Sequence, residues 1–291
     1  MNTSSKVFLP ISYQELFSTW KNVPNAIIYA GGTELFRNRR IKLPFFPTEI
    51  ISLERMEDLH KISRTERYLE VGAMVKLNQI INLGKVVPEA LVQCLEGIAS
   101  PQLRNIATIG GNICNPQRRL DSSVPLIALD AQIELRSISS SRWLSASQFA
   151  SLPGPPALAK GEILSRIRIP LEAWTFSRYI KFRSPGSIEP GGGLLFLIRN
   201  QKNILSAIRV VYSGKLVLRE KNSETMLTGK KLPLDIKETR SFIEHWKSYL
   251  SVFEGNEDSI FTGLEGKSNS DLSKTQILNF IESALMTITD L

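Results

Sequence analysis

The chain has 291 residues, 42% hydrophobic and 22% charged, which is long enough for two domains and balanced like an ordinary globular protein. No apolar run reaches the ~18 residues of a membrane-spanning helix, and the polar start carries no secretory signature, so no membrane span and a cytoplasmic location are expected. A net charge of +8 raises nucleic acid as a partner, but scattered basic residues without zinc-finger spacing or basic–aromatic alternation read as a solvated or subunit-facing surface.

Residues 26–30 (Ala-Ile-Ile-Tyr-Ala) form a short apolar run ending at Gly31-Gly32, the pattern of a buried strand entering a tight turn. Thr33 is placed to cap a short helical turn, with Glu34 near its positive end. Residues 49–53 and 68–72 read as strands. Residues 75–83 and 88–98 have helical spacing, with Leu91, Leu95 and Ile98 on one face. The apolar stretch 124–131 leads into an alternating strand, 132–136. A loop rich in Pro, Gly, Ser and Ala covers 147–161, before a strand over 162–169 that Pro170 closes.

A segment over 174–183 leads to Pro185-Gly186 and the triplet Gly191-Gly192-Gly193. Strand-like runs at 194–199 and 205–212 predict a hairpin across Gln201-Lys202-Asn203. Helical patterns follow at 236–250 and 273–288, separated by a polar stretch. The pattern predicts a boundary near residue 175, with an α+β domain at 1–175 and another at 176–291.

Two glycine pairs carry the chemistry: Ala30-Gly31-Gly32-Thr33-Glu34-Leu35 and Thr108-Ile109-Gly110-Gly111-Asn112. Without a Cβ, glycine lets backbone N–H groups approach an anion closely. Either pair alone is an ordinary turn. Two such turns facing each other would cradle a pyrophosphate, with Thr33 and Thr108 adding hydroxyls. No G-x-G-x-x-G or Walker A motif competes. His60 and His245 lack metal-type spacing, and Cys94 and Cys114 are too few for an iron–sulfur cluster. Neither a catalytic side chain nor a metal site is indicated, so a bound cofactor has to carry any reaction.

The segment Ser-Pro-Gln-Leu-Arg-Asn-Ile-Ala-Thr-Ile-Gly-Gly-Asn (100–112) resembles the second FAD loop of the molybdopterin dehydrogenase flavoproteins. That family includes the FAD domains of xanthine dehydrogenase and the medium subunits of carbon monoxide dehydrogenase. Ala-Gly-Gly-Thr-Glu-Leu resembles its first loop, and Glu70-Val71-Gly72-Ala73 its intervening strand. Asp121, nine residues after Asn112, stands where the family places an aspartate.

The resemblance implies an α+β fold: a two-lobed FAD-binding domain of the vanillyl-alcohol-oxidase (PCMH) type, then a smaller α+β C-terminal domain. It implies that Ile28, Tyr29, Ala30, Gly31, Gly32, Thr33, Glu34 and Leu35 wrap the pyrophosphate and ribityl chain. Thr108, Ile109, Gly110, Gly111 and Asn112 complete the cradle. Ile98 and Leu164 pack on apolar parts of the cofactor or serve as plain core. Asp121 accepts from cofactor hydroxyls or caps a helix, and Lys181 lies near the isoalloxazine or is a solvated lysine.

The resemblance further implies a subunit carrying electrons through FAD. The molybdenum cofactor would sit on a large partner subunit and [2Fe-2S] clusters on a small one, with NAD or another acceptor receiving the electrons. The alternatives are a free-standing FAD-dependent oxidase or reductase, and a non-enzymatic assembly protein that has lost FAD. Departures from the family fall at Pro116-Gln117-Arg118-Arg119, at one inserted residue between Asp121 and Pro125, and after Arg183, where an acidic residue is usual. They bear on the electron acceptor more than on FAD.

Overall fold

The computed structural model describes residues 5–35, 47–115, 122–150, 156–183, 190–214, 217–252 and 267–289. Asp121, Pro116-Gln117-Arg118-Arg119 and the segment just after Arg183 lie outside the described residues.

The chain starts with β1 (Lys6–Phe8), α1 (Tyr13–Asn22), β2 (Ile27–Tyr29) and β3 (Glu49–Ser52). Ser12 starts α1 by accepting a hydrogen bond from the Glu15 N–H at 3.2 Å, and Leu16 and Phe17 anchor the helix in the core. The three strands form a parallel sheet in the order β1-β3-β2.

A second lobe follows, with β4 (Ile62–Arg64), β5 (Tyr68–Gly72), α2 (Leu77–Ile81), α3 (Glu89–Glu96), α4 (Pro101–Arg104), α5 (Ile109–Ile113) and α6 (Ser123–Ala128). It closes with β6 (Gln132–Arg136), β7 (Ser141–Ser145), α7 (Ala146–Phe149) and β8 (Ile163–Pro170). Its strands make an antiparallel sheet in the order β4-β5-β8-β6-β7. On β8, Ile163, Ile167 and Ile169 are buried while Arg166 and Arg168 alternate on the other face, as period-2 patterning requires.

Beyond β8 the chain builds β9 (Phe176–Arg183), β10 (Pro190–Gln201), β11 (Ile204–Ser213), β12 (Val217–Arg219), α8 (Lys221–Leu227), α9 (Ile236–Ser251) and α10 (Lys267–Thr289). The strands form an antiparallel sheet in the order β12-β11-β10-β9. This sheet is buried on both faces. Leu195 and Leu197 join the first hydrophobic cluster, while Leu194, Phe196 and Ile198 join a second one with Phe242, Trp246 and Leu250 of α9 and Ile277, Ile281 and Leu285 of α10. Burial on both sides explains why residues 194–198 read as an unbroken apolar run instead of alternating.

Several sequence expectations shift in detail. The β10–β11 hairpin turns on Lys202-Asn203, both at positive φ (52° and 61°), the two-residue geometry that matches strand twist. The loop expected over 147–161 begins with helix instead. Ser145 and Gln148 form a reciprocal capping box that starts α7. Residues 33–35 form a turn and not a helical segment.

Candidate functional site

The first glycine pair leaves the end of β2, and the second lies in the first turns of α5. The predicted second turn is therefore a helix start. Thr108 is its N-cap, and its hydroxyl accepts from the Gly111 N–H at 3.1 Å.

The two segments meet. A Cβ added to Gly31 would lie 2.2 Å from the Ile106 carbonyl oxygen, so the first loop rests on the backbone entering the second. A Cβ on Gly111 would come 3.5 Å from the Ala30 methyl. The connection after β5 is the platform beneath the second segment. The Gly110 N–H donates to Ala73 O at 2.9 Å, Ile109 N–H to Val75 O at 3.0 Å and Leu77 N–H to Ala107 O at 3.0 Å. Gly110 is glycine because a Cβ there would meet Ala73 at 2.7 Å.

This geometry corrects how the two loops divide the work. The N–H groups of Ile109, Gly110, Gly111 and Asn112 all donate within the protein, because they start a helix docked on residues 73–75. They are not the free donors that the glycine pair suggested. The N–H groups of Gly31, Gly32 and Thr33 have no protein acceptor among the described residues. Gly32 sits at φ 68°, with the Tyr29 ring against it so closely that a Cβ would fall 2.3 Å from the Tyr29 hydroxyl.

Ile28, Tyr29, Ala30 and Leu35 are half-buried around this turn, and Glu34 is exposed. Asn112 accepts a short hydrogen bond from Ser122. Ile98, 9% exposed, follows the end of α3, and Leu164 pairs with Leu135 in the core of the sheet. Beside Leu164, the Ser165 carbonyl accepts from the Ala73 N–H at 2.9 Å, joining β8 to the platform under Gly110. The Lys181 ammonium donates to Gly97 O at 3.0 Å, directly before Ile98.

Two residues that the sequence reading gave no role hold this region. Arg104 gathers carbonyls at the end of α3, and Asn78 binds its Nε. Both lie inside or beside the quoted motifs, but nothing in their spacing signals a tertiary hydrogen bond. Cys114 ends α5 as a half-buried thiol that desolvation pushes up to about 12. Among the described residues no cluster of three or more His, Cys, Asp or Glu could hold a metal, and no helix is long and apolar enough to cross a membrane.

The FAD binding domain in molybdopterin dehydrogenase matches residues 3–172, more than half of the chain. The chain belongs to this family. Its cofactor is FAD. The nicotinate dehydrogenase FAD-subunit of Eubacterium barkeri is 28% identical over 254 residues, 82% of this chain and 84% of that protein. Xanthine dehydrogenase 2 of Arabidopsis thaliana is 29% identical over 77% of this chain, which spans only 18% of that much longer protein.

Solved structures share the fold. Quinoline 2-oxidoreductase from Pseudomonas putida 86 superposes with a TM-score of 0.77 at 20% identity, covering 99% of this chain and 97% of its own. Carbon monoxide dehydrogenase from Hydrogenophaga pseudoflava gives 0.76 at 23%, covering 96% and 95%. The fold is the two-lobed FAD-binding type with a C-terminal α+β unit.

The residues present fit the family's cofactor. A diphosphate needs convergent donors and close backbone approach, and the N–H groups at 31–33, without a protein acceptor among the described residues, offer both beside the exposed Gly111.

Proposed function

We propose that this chain is the FAD-carrying electron-transfer subunit of a xanthine-dehydrogenase-like molybdenum hydroxylase. It takes electrons from iron–sulfur clusters on a small partner and passes them to NAD or another acceptor, while a large partner bears the molybdenum cofactor. The domains divide at 1–175 and 176–291. The observation that carries this reading is the contact between the two glycine segments, beside which the N–H groups of Gly31, Gly32 and Thr33 have no protein acceptor among the described residues.

Bound FAD supplies two-electron chemistry, including hydride exchange with a nicotinamide. The chain's own residues bind and orient. Gly31, Gly32 and Thr33 donate backbone N–H groups to the diphosphate, and the Thr108 hydroxyl, whose oxygen already accepts from Gly111, has its proton left to give. Ile28, Tyr29, Ala30 and Leu35 enclose this arm, Asn112 belongs to the phosphate cradle, and Asp121 accepts from the cofactor's hydroxyls. Ile98 and Leu164 exclude water from the apolar side, and Lys181 brings positive charge to the ring end.

The visible spectrum of the purified chain tests this. A flavin band is expected in the wild type and lost in Gly111→Asp, which sets a carboxylate beside Ala30 and the phosphate-facing turn. Full flavin occupancy in the variant would show the cradle to be elsewhere. Copurification with a larger and a smaller partner is the matching test of assembly.

A further inference from the structure

Four consecutive carbonyls lie at the C-terminal end of α3, and two cations take all of them. Arg104 Nη1 stands 2.8 Å from Glu96 O, 3.0 Å from Ile98 O and 3.1 Å from Ala99 O. Lys181 Nζ stands 3.0 Å from Gly97 O. A helix C-terminus carries partial negative charge, so a cation there is favourable in itself. One guanidinium nitrogen shared among three carbonyls does more, because it curls the chain around itself. Ala99 sits at φ 49°, a conformation that L-residues other than Asn and Asp rarely adopt.

The guanidinium is anchored at Nε as well. Arg104 Nε donates to Asn78 Oδ1 at 3.2 Å, and Asn78 Nδ2 donates to Asn105 Oδ1 at 2.7 Å and Pro101 O at 3.2 Å. Two residues after Arg104, the Ile106 carbonyl is the atom against which Gly31 packs. Arg104 thus lies between the 96–99 turn and the contact that seats the first glycine loop. While the carbonyls of the turn face cations, the N–H groups of Ala99 and Ser100 have no protein acceptor among the described residues.

We infer that Arg104 is a positioning residue for the ring end of FAD, acting through the 96–99 turn: it holds the carbonyls inward so that Ile98 and the N–H groups of Ala99 and Ser100 meet the isoalloxazine. This rests on reading the site as an FAD cradle and divides it into two parts. The Gly31 loop serves the diphosphate, and the Arg104-held turn serves the ring.

ADP keeps the diphosphate and lacks the ring, so it separates the two parts. The full-length chain is titrated with FAD and with ADP as wild type, Arg104→Ala, Arg104→Lys and Asn78→Ala, and the visible circular dichroism of bound flavin is recorded. A lost charge-assisted hydrogen bond corresponds to about a tenfold affinity change. Arg104→Ala should therefore weaken FAD about tenfold, alter the flavin dichroism and leave ADP binding unchanged. Arg104→Lys keeps the charge and loses the fork, so it should fall between wild type and Arg104→Ala.

Asn78→Ala should move FAD the same way by less. If Arg104→Ala does not fold, Arg104→Lys and Asn78→Ala carry the same comparison. Unchanged FAD affinity and dichroism in the variants would overturn the inference, and so would equal weakening of FAD and ADP, which would make Arg104 a support of the whole lobe. A wild-type chain that takes up no flavin would instead defeat the underlying functional reading, before any variant is compared.

Discussion

At the scale of single residues, the site depends on where a Cβ cannot go. Gly31 and Gly110 are needed for packing: one meets the Ile106 carbonyl and the other meets Ala73. Gly111 is exposed and faces the first loop, with only Thr108 and Ala30 nearby. Gly31→Ala should push the two loops apart. Overpacking at a backbone contact costs about 1–3 kcal/mol, so a lowered unfolding midpoint together with weaker FAD uptake is expected in a titration of the purified variant. A variant with wild-type stability and flavin content would mean that the two loops do not need this contact.

At the scale of elements, charge holds the outer face of the five-stranded sheet. Glu134, 3% exposed, accepts from Ser165 Oγ at 2.6 Å and Arg166 Nε at 2.7 Å. Arg166 and Arg168 also bind Glu70, and Arg168 lies 4.3 Å from the Trp143 ring centroid. Burial by itself raises the Glu134 carboxyl, but the hydrogen bonds from Arg166 and Ser165 outweigh it and hold it below the usual carboxylate range. A group depressed in the folded state stabilises above its unfolded value, and that stability is lost as pH falls through the folded value. Glu134→Gln should therefore flatten the acid limb of the stability profile, measured by urea unfolding from neutral to acid pH.

The joint between the lobe and the C-terminal sheet is also electrostatic. Arg209 and Arg219, on β11 and β12, reach the carbonyls of Ala128 and Ile127 at the end of α6, and both bind Asp130. Glu224 holds Arg219 from the other side at 2.6 Å. Arg219→Ala leaves the mostly buried Glu224 carboxylate without its partner, which should cost about 2–3 kcal/mol and be visible in the denaturation midpoint.

At the scale of the whole molecule, the cofactor couples to folding. The proposed cradle draws on the end of β2 and the start of α5, which rests on the segment after β5, so FAD binding there requires all three to be assembled. Free FAD at ~100 times its Kd adds about 2.7 kcal/mol to the folded state. Thermal unfolding of the wild type should rise with added FAD, and Gly111→Asp should show no rise.

Much of this molecule is legible from local patterning. Strands β2, β3, β5, β6 and β8, the β10–β11 hairpin and helices α9 and α10 follow from period, capping and turn residues, which are properties of neighbours in the chain. The short elements β1, β4 and α8 pass below that signal, because their residues gain order from tertiary packing more than from propensity. The glycine motifs identify the family and its cofactor, since their order along the chain is specific. Only the fold decides which amides remain free. Residues 109–112 spend theirs on Val75, Ala73 and Thr108, while those of residues 31–33 have no protein acceptor among the described residues. It also decides that Arg104 gathers three carbonyls. Hydrogen-bond partners are set by three-dimensional proximity, and no spacing in a linear sequence encodes that.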